Sequence, residues 1–175
     1  ISPLPSTGTL PYVPCTATFV TDPLVGGGYQ LQVRAVDSAG NRDASPASHV
    51  WRVDVGAPQT FILSGPVAAS NDPVRLAAFV FDSDESPVTY TCSVNGAVGL
   101  PCSTNFSFNA TEDGAYTLSV FATDEAGNAD PTPATWSFAF DTVAPETSIV
   151  SGPSADSRSS TAVFEFASNE SPVTY

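Results

Sequence analysis

Residues 120–128 read Val-Phe-Ala-Thr-Asp-Glu-Ala-Gly-Asn, and residues 33–41 read Val-Arg-Ala-Val-Asp-Ser-Ala-Gly-Asn. The two stretches share six of nine residues at a spacing of 87 positions. Placing residues 14–66 on residues 101–153 without a gap gives 23 identities in 53 positions. A solenoid rung has roughly 20–50 residues, so a repeat of this length fits a small, independently folded β-sandwich better.

The limits of the repeat follow from a second recurring motif. Glu-Ser-Pro-Val-Thr-Tyr occupies residues 85–90 and again residues 170–175, at an offset of 85 rather than 87. Repeats of about 85–87 residues are therefore expected. We predict the C-terminal part of one repeat at residues 1–57, a complete repeat at 58–143 and the N-terminal part of a third at 144–175. We also expect the chain to be a piece of a longer repeat array.

Within the complete repeat, apolar and polar residues alternate, which is the period of a strand with one buried face. Ala77, Phe79 and Phe81 form one such series. Sixteen prolines and twelve glycines interrupt the chain too often for long helices. The pattern predicts an all-β fold of tandem Greek-key sandwiches. Strands are predicted at residues 60–65, 75–82, 88–94, 104–109, 115–123 and 134–141, with a short extra strand between residues 97 and 101.

Three positions narrow this prediction to an immunoglobulin-like sandwich. Tyr116, two residues after Gly114, has the spacing of a tyrosine corner, and Tyr29 repeats it. Leu118 stands where an antibody domain has the second cysteine of its inter-sheet disulfide, and Tyr90 stands where it has tryptophan. We therefore expect the fold without that disulfide.

These motifs resemble the tandem bacterial-type immunoglobulin-like (Big-like) repeats of giant extracellular surface proteins, including adhesins. The resemblance rests on G-x-Y-x-L-x-V-x-A-x-D-x-A-G-N, D-x-x-A-P-x-T-x-I-x-S-G-P and E-S-P-V-T-Y-x-C, and it covers essentially the whole chain. Similar repeats occur in giant extracellular proteins of some algae. The resemblance implies a fold and an extracellular setting rather than an activity, because one fold hosts many functions.

The charge balance excludes two classes of partner. The chain has five arginines, no lysines and 18 acidic residues, which gives a net charge of −13. Such a chain repels a phosphate backbone, so nucleic acid is excluded as a partner, and so is a polybasic contact with a membrane. The longest apolar run, residues 76–81, is too short to span a bilayer, so we expect no membrane insertion in this segment.

Three cysteines bear on the cellular compartment. We predict a disulfide between Cys92 and Cys102, which would close a short loop, stabilise the fold by about 3 kcal/mol and imply an oxidising environment. Two thiolate ligands of a metal are the alternative, but such a site needs further Cys or His residues nearby. Cys15 matches Cys102, whereas Pro5 stands at the position of Cys92. Cys15 can therefore pair outside the chain, pair between chains or stay free.

Three N-x-[ST] motifs are candidate glycosylation sites, at Asn105, Asn109 and Asn169. On the predicted strand, Phe106 and Phe108 point inward, which turns Asn105 and Asn109 outward. The motif also arises by chance in a chain rich in Ser and Thr, and it has meaning only in a eukaryotic secretory host.

Acidic residues are expected to gather where the incoming linker meets two loops at one end of the sandwich. A calcium ion, which takes six to eight oxygen ligands, could join them and stiffen the array. Two alternatives are a solvated acidic pole and, for Asp124, a tight turn in which it caps backbone amides. No other cofactor is indicated. The candidate calcium ligands are Asp54, Asp84, Glu85, Asp124 and Glu125.

No catalytic motif is present, and we expect no enzymatic activity. His49 is the only histidine, and its counterpart in the next copy is Trp136, which indicates packing rather than catalysis. We expect a structural or adhesive extracellular protein, a stalk or filament segment at a cell surface. Its partners would be the neighbouring repeats of the chain, other copies in a filament, or surface glycans and proteins.

Two other interpretations stay open. One is a filament component on an algal flagellum or cell surface rather than a bacterial adhesin. The other is a specific carbohydrate- or protein-binding module, which a row of exposed aromatic side chains would favour. Phe121 is the one outward candidate for such a row.

Overall fold

The computed structural model describes residues 2–4 and 12–175, and it contains strands and no helix over these residues. The prediction of an all-β fold is confirmed. The strands are β1 Ser2–Leu4, β2 Gly27–Val33, β3 Ala47–Val53, β4 Thr60–Ser64, β5 Ala69–Ser70, β6 Leu76–Ser83, β7 Val88–Val94, β8 Leu100–Cys102, β9 Asn105–Asn109, β10 Gly114–Asp124, β11 Ala134–Phe140, β12 Thr147–Ser151 and β13 Glu165–Ser168.

All six strands predicted for the complete repeat are present, as β4, β6, β7, β9, β10 and β11. The extra strand predicted between residues 97 and 101 lies at Leu100–Cys102, slightly later than expected. The two-residue strand β5 was not predicted, because Ala69–Ser70 is too short to show any alternation.

The strands form four sheets, in the orders β1-β2-β3, β4-β6-β9, β5-β11-β10-β7-β8 and β12-β13. Strands β7 and β10 pair antiparallel from Val94 opposite Leu118 to Val88 opposite Asp124. Strands β5 and β11 pair in parallel. Several mainly antiparallel sheets with neighbours out of chain order are consistent with a β-sandwich.

The described part of the chain divides into two compact units, and the first comprises residues 2–4, 12–65, 79–106 and 117–136. Its core contains Phe81 and Leu118, both almost fully buried. The ring of Phe81 on β6 meets the ring of Tyr90 on β7 edge-on, with centroids 5.1 Å apart. Each large apolar side chain that is fully buried stabilises the unit by roughly 1.5–3 kcal/mol.

The second unit comprises residues 66–78, 107–116 and 137–175. Phe138 is its aromatic centre, and its ring lies 5.7 Å from the ring of Tyr116 and 5.6 Å from that of Phe140. These two units differ from the predicted division at residues 57/58 and 143/144, which stays a prediction.

The same tyrosine hydrogen bond occurs in both copies of the repeat motif. The hydroxyl of Tyr116 donates to the carbonyl oxygen of Glu112 at 2.8 Å, and that of Tyr29 donates to the carbonyl oxygen of Val25 at 2.8 Å. This is the bond from the hydroxyl to the upstream backbone that a tyrosine corner makes.

The Asp-to-Asn turn also has the same geometry in both copies. Asp124 accepts from the backbone N–H and the side-chain amide of Asn128, each at 2.8 Å. Asp37 accepts from the same groups of Asn41 at 2.8 and 2.7 Å. Gly127 has φ of +91° and the equivalent glycine before Asn41 has +90°, which is the left-handed region that glycine favours. The predicted tight turn at Asp124 is therefore confirmed.

Candidate functional site

The predicted disulfide is confirmed: Cys92 on β7 is bonded to Cys102 on β8, with Cα atoms 5.8 Å apart. A tight turn brings the two strands together. Within the connection between them, Asn95 and Gly96 both have positive φ, at +52° and +72°, as the central residues of a type I′ turn require, and the N–H of Ala97 donates to the carbonyl oxygen of Val94 at 3.0 Å. Cys15 is exposed and is a free cysteine.

The five acidic residues proposed as calcium ligands line one open surface recess. Arg52 lies among them, and its Nη2 is 3.0 Å from Oδ2 of Asp54. The recess is therefore acidic but already holds one cation from the chain itself. Its lining residues are Arg52, Asp54, Asp84, Glu85, Ser86, Pro87, Asp124, Glu125 and Ala126.

Several of these carboxylates are occupied by hydrogen bonds. Asp84 accepts from the backbone N–H of Gln59 at 2.7 Å, and Asp124 accepts from Asn128. The side-chain hydrogen bond from Asn128 is the main reason why the pKa of Asp124 is lowered. Among residues 2–4 and 12–175, no three His, Cys, Asp or Glu side chains are arranged to hold a metal ion. Calcium binding stays a prediction.

A buried carboxylate that the sequence did not reveal lies close to this recess along the chain. Asp130 is only 4% exposed, and its Oδ2 accepts from the N–H of Thr60 at 2.8 Å. The hydroxyl of Thr60 in turn accepts from the N–H of Ala122 at 2.8 Å. Burial raises the pKa of Asp130, but hydrogen bonds from Thr132 and Thr60 outweigh burial and lower it overall. The repeat could have indicated these residues, because Asp occurs at both 43 and 130 and Thr at both 60 and 147, each pair 87 positions apart.

A second polar cluster, which we call the Arg75 anchor, consists of Arg75, Asp113 and Thr142. Nε of Arg75 lies 2.7 Å from Oδ1 of Asp113, and Nη2 of Arg75 donates to the hydroxyl of Thr142 at 2.8 Å. The N–H of Thr142 donates to Oδ2 of Asp113 at 2.9 Å. The Arg75 hydrogen bond, followed by that of Thr142, lowers the pKa of Asp113 to about 2. The anchor holds Thr142, which follows β11 by two residues.

The three candidate glycosylation sites are all exposed. Asn105 and Asn109 alternate with Phe106 and Phe108, which are only half exposed. Their outward direction therefore agrees with the sequence pattern, while glycosylation itself stays a prediction.

The remaining candidates have structural surroundings. His49 is exposed and stacks on Trp51 with ring centroids 6.1 Å apart, as expected for a packing role. Phe121 is half-buried on β10, where its backbone partner is Thr91. Neither residue forms part of a recess with the acidic side chains.

Comparison with known proteins leaves the family open. A scan against protein-family models finds no match, and a search of curated proteins finds no significant one. Across residues 2–4 and 12–175 there is no helix long and apolar enough to cross a membrane.

Proposed function

We propose that this chain is a stalk or filament segment of an extracellular structural or adhesive protein, built of tandem immunoglobulin-like sandwiches. The observation that carries the proposal is the recurrence of the same hydrogen bonds 87 residues apart, around Asp37 and around Asp124. A repeated sequence that reproduces its own local geometry favours a repeated domain. The strand order with β10 between β7 and β11, together with the Tyr116 hydrogen bond, favours the immunoglobulin-like type.

The disulfide supports the extracellular setting. Cytosolic thiols are kept reduced, whereas disulfides persist in secreted and surface proteins. Cys92 and Cys102 join two neighbouring strands rather than two functional loops. The bond therefore serves stability, which a protein outside the cell must maintain without chaperones.

The pairing of β5 with β11 suggests how such a segment bears load. The N–H of Ala139 donates to the carbonyl oxygen of Ala68, and that of Asp141 donates to the carbonyl oxygen of Ser70, both at 2.9 Å. One strand lies near the start of the predicted repeat and the other at its end, and they run parallel. Pulling the repeat at both ends would therefore load these hydrogen bonds together, in shear, rather than one after another.

The negative charge fits an exposed, extended polymer. A net charge of −13 on 175 residues keeps neighbouring chains soluble and apart. Lateral contacts between chains would then need a bridging cation or a dedicated partner.

The proposal is tested on the native protein by labelling intact cells with an antibody to this chain and by mapping its peptides without reduction. We expect surface labelling and a peptide linked through Cys92 and Cys102. Labelling that requires permeabilised cells, together with free thiols at both positions, would overturn the proposal. Saturable binding of one soluble glycan or protein by the chain would favour a recognition module instead.

A further inference from the structure

The three N-x-[ST] asparagines differ in how far their carboxamides are engaged. Nδ2 of Asn109 donates to the carbonyl oxygen of Val74 at 3.1 Å, and Oδ1 of Asn169 accepts from the N–H of Glu146 at 2.7 Å. The exposed carboxamide of Asn105 makes no hydrogen bond to the described part of the chain. Asn105 is thus the asparagine whose modification disturbs the fold least.

The surroundings of Asn105 follow from the register of β6 and β9. The N–H of Phe81 donates to the carbonyl oxygen of Thr104 at 3.1 Å, and the rings of Phe79 and Phe106 stack with centroids 6.4 Å apart. The first contact sets Phe81 opposite Thr104, and the second sets Phe79 opposite Phe106. Val80 therefore lies opposite Asn105. Val80 and Asn105 are therefore neighbours on the outward face of these two strands.

On the same solvent-facing surface, apolar side chains extend from Val80 on β6 to the neighbouring strand β4. Beyond Val80 lies β4, where Ser64 pairs with Val80 and Phe61 pairs with Asp82. Phe61, Leu63 and Val80 are 47%, 63% and 38% exposed, although the buried rings of Phe79 and Phe81 flank Val80 on β6. We call these three residues the outer strip. It is an apolar surface bordered by the acceptor asparagine.

We propose that Asn105 carries an N-linked glycan whose first sugar lies on the outer strip. This inference rests on the proposed extracellular function, since the modification requires passage through a secretory pathway. A pyranose ring has an apolar face of C–H groups and a rim of hydroxyl groups. It can therefore cover Val80 and Leu63 while its hydroxyls stay in water, which removes apolar surface that otherwise invites association.

The chemistry of attachment needs one co-reactant, a glycan activated as a polyprenyl pyrophosphate. Nδ2 of Asn105 attacks the anomeric carbon, so that one C–N bond forms while the C–O bond to the pyrophosphate breaks. The pyrophosphate leaves with that electron pair, and Nδ2 loses one proton. Ser107, the hydroxyl residue of the motif, is exposed on the same face of β9.

Peptide mapping of the native protein tests the attachment. We expect a glycopeptide that contains Asn105, and an unmodified Asn105 overturns the inference. The same map separates the two proposals, because bare Asn105 with an intact Cys92–Cys102 bond leaves the proposed function standing. Free thiols at both cysteines, together with antibody labelling only of permeabilised cells, would instead overturn the proposed function.

Matched variants of the chain, secreted from eukaryotic cells, test the position of the sugar. Ser107→Ala removes the motif at Asn105 and keeps the asparagine, whereas Thr111→Ala does the same for Asn109. We expect Ser107→Ala to increase binding of a hydrophobic dye, and Thr111→Ala to leave it nearly unchanged. Adding Leu63→Ser to Ser107→Ala should cancel most of the increase.

Equal dye binding by the two alanine variants overturns the placement on the outer strip. So does faster amide hydrogen exchange in β9 alone after Ser107→Ala, because loss of the sugar should also deprotect β4 and β6. Secretion levels and the intact disulfide confirm that each variant has folded.

Discussion

The two linkers of the chain, residues 54–58 and residues 141–145, differ in one anchor. In both, the leading aspartate accepts from the N–H two residues later, at 3.2 Å for Gly56 and 3.3 Å for Val143. The next residue differs: Thr142 is held by the Arg75 anchor, whereas Val55 faces Gly26, which stands where the later copy has Asp113. The short caps are thus shared by both copies, while the Arg75 anchor belongs to the second linker.

Linkers of similar sequence therefore need not be equally stiff. In the first linker the contacts are made at Asp54, whose carbonyl oxygen accepts from Nδ2 of Asn128 at 3.3 Å and whose carboxylate pairs with the exposed Arg52. The second linker must also break bonds to Asp113 and Arg75 before residue 142 moves. We therefore expect stiffness to vary along the array with substitutions that an alignment would treat as neutral.

The largest effect is expected at Thr60, which lies just beyond the first linker. Thr60→Val leaves the buried N–H of Ala122 without its acceptor and should lower the free energy of unfolding by about 1–3 kcal/mol. Thr147→Val is the matched control, because Thr147 is exposed, and it should change little. Urea unfolding of both variants checks this, and equal effects would contradict it.

Breaking the Arg75 anchor should have the next largest effect. Asp113→Asn removes the charge that pairs with Arg75 and weakens the hold on Thr142, so local protection should fall. We expect faster hydrogen exchange at residues 141–143 and no change at residues 54–56. Arg75→Lys is the conservative partner, which keeps the charge but loses the two-point contact. Unchanged exchange in Asp113→Asn would show that the anchor does not stiffen the linker.

The anchor should also make stability depend on acid. The folded-state pKa of Asp113, about 2, lies below its ordinary value of 3.8. Its contribution is therefore complete above pH 3.8, declines as the pH falls toward 2 and is lost below that. The difference in thermal midpoint between the native sequence and Asp113→Asn should shrink through this window. A constant difference from pH 5 down to pH 2 would contradict the assigned ion pair.

The smallest effect is expected at the ion pair beside the first linker. Arg52 is 76% exposed on its side chain, and exposed pairs contribute roughly 0–1 kcal/mol. Arg52→Ala should therefore alter stability by less than about 1 kcal/mol, and added salt should abolish the difference. A larger, salt-resistant loss would show that Arg52 structures the acidic recess.

Local features of the fold could be predicted because they depend on residues close in sequence. Alternation located the six strands, and the Asp124 turn and the Tyr116 bond each join residues four apart. Features that join distant residues were missed. Arg75 and Asp113 are 38 residues apart, and nothing in the spacing of one arginine and one aspartate marks them as partners.

The candidate site was predictable to the same limited extent. The linker and two loops do bring Asp54, Asp84 and Asp124 to one recess, as the expected topology required. The tight turn at Asp124 was predicted, but the sequence could not reveal that Asp84 accepts from the backbone N–H of Gln59. The composition gives the number of carboxylates, but the structure is needed to show which carboxylate oxygens already accept hydrogen bonds.

The placement of β8 has a consequence for the proposed array of homologous repeats. It is the last strand of its sheet, and an unprotected edge of this kind offers free backbone groups to any neighbouring chain. In a tandem array the nearest competitor is a homologous repeat, always present at high local concentration. Three residues, one of them Pro101 without an N–H, offer a poor template, and the bond to Cys92 holds them to their own partner. The edge of the sheet thereby guards this repeat against pairing with a sibling while both are folding, a protection that the earlier copy, with its free Cys15, does not share.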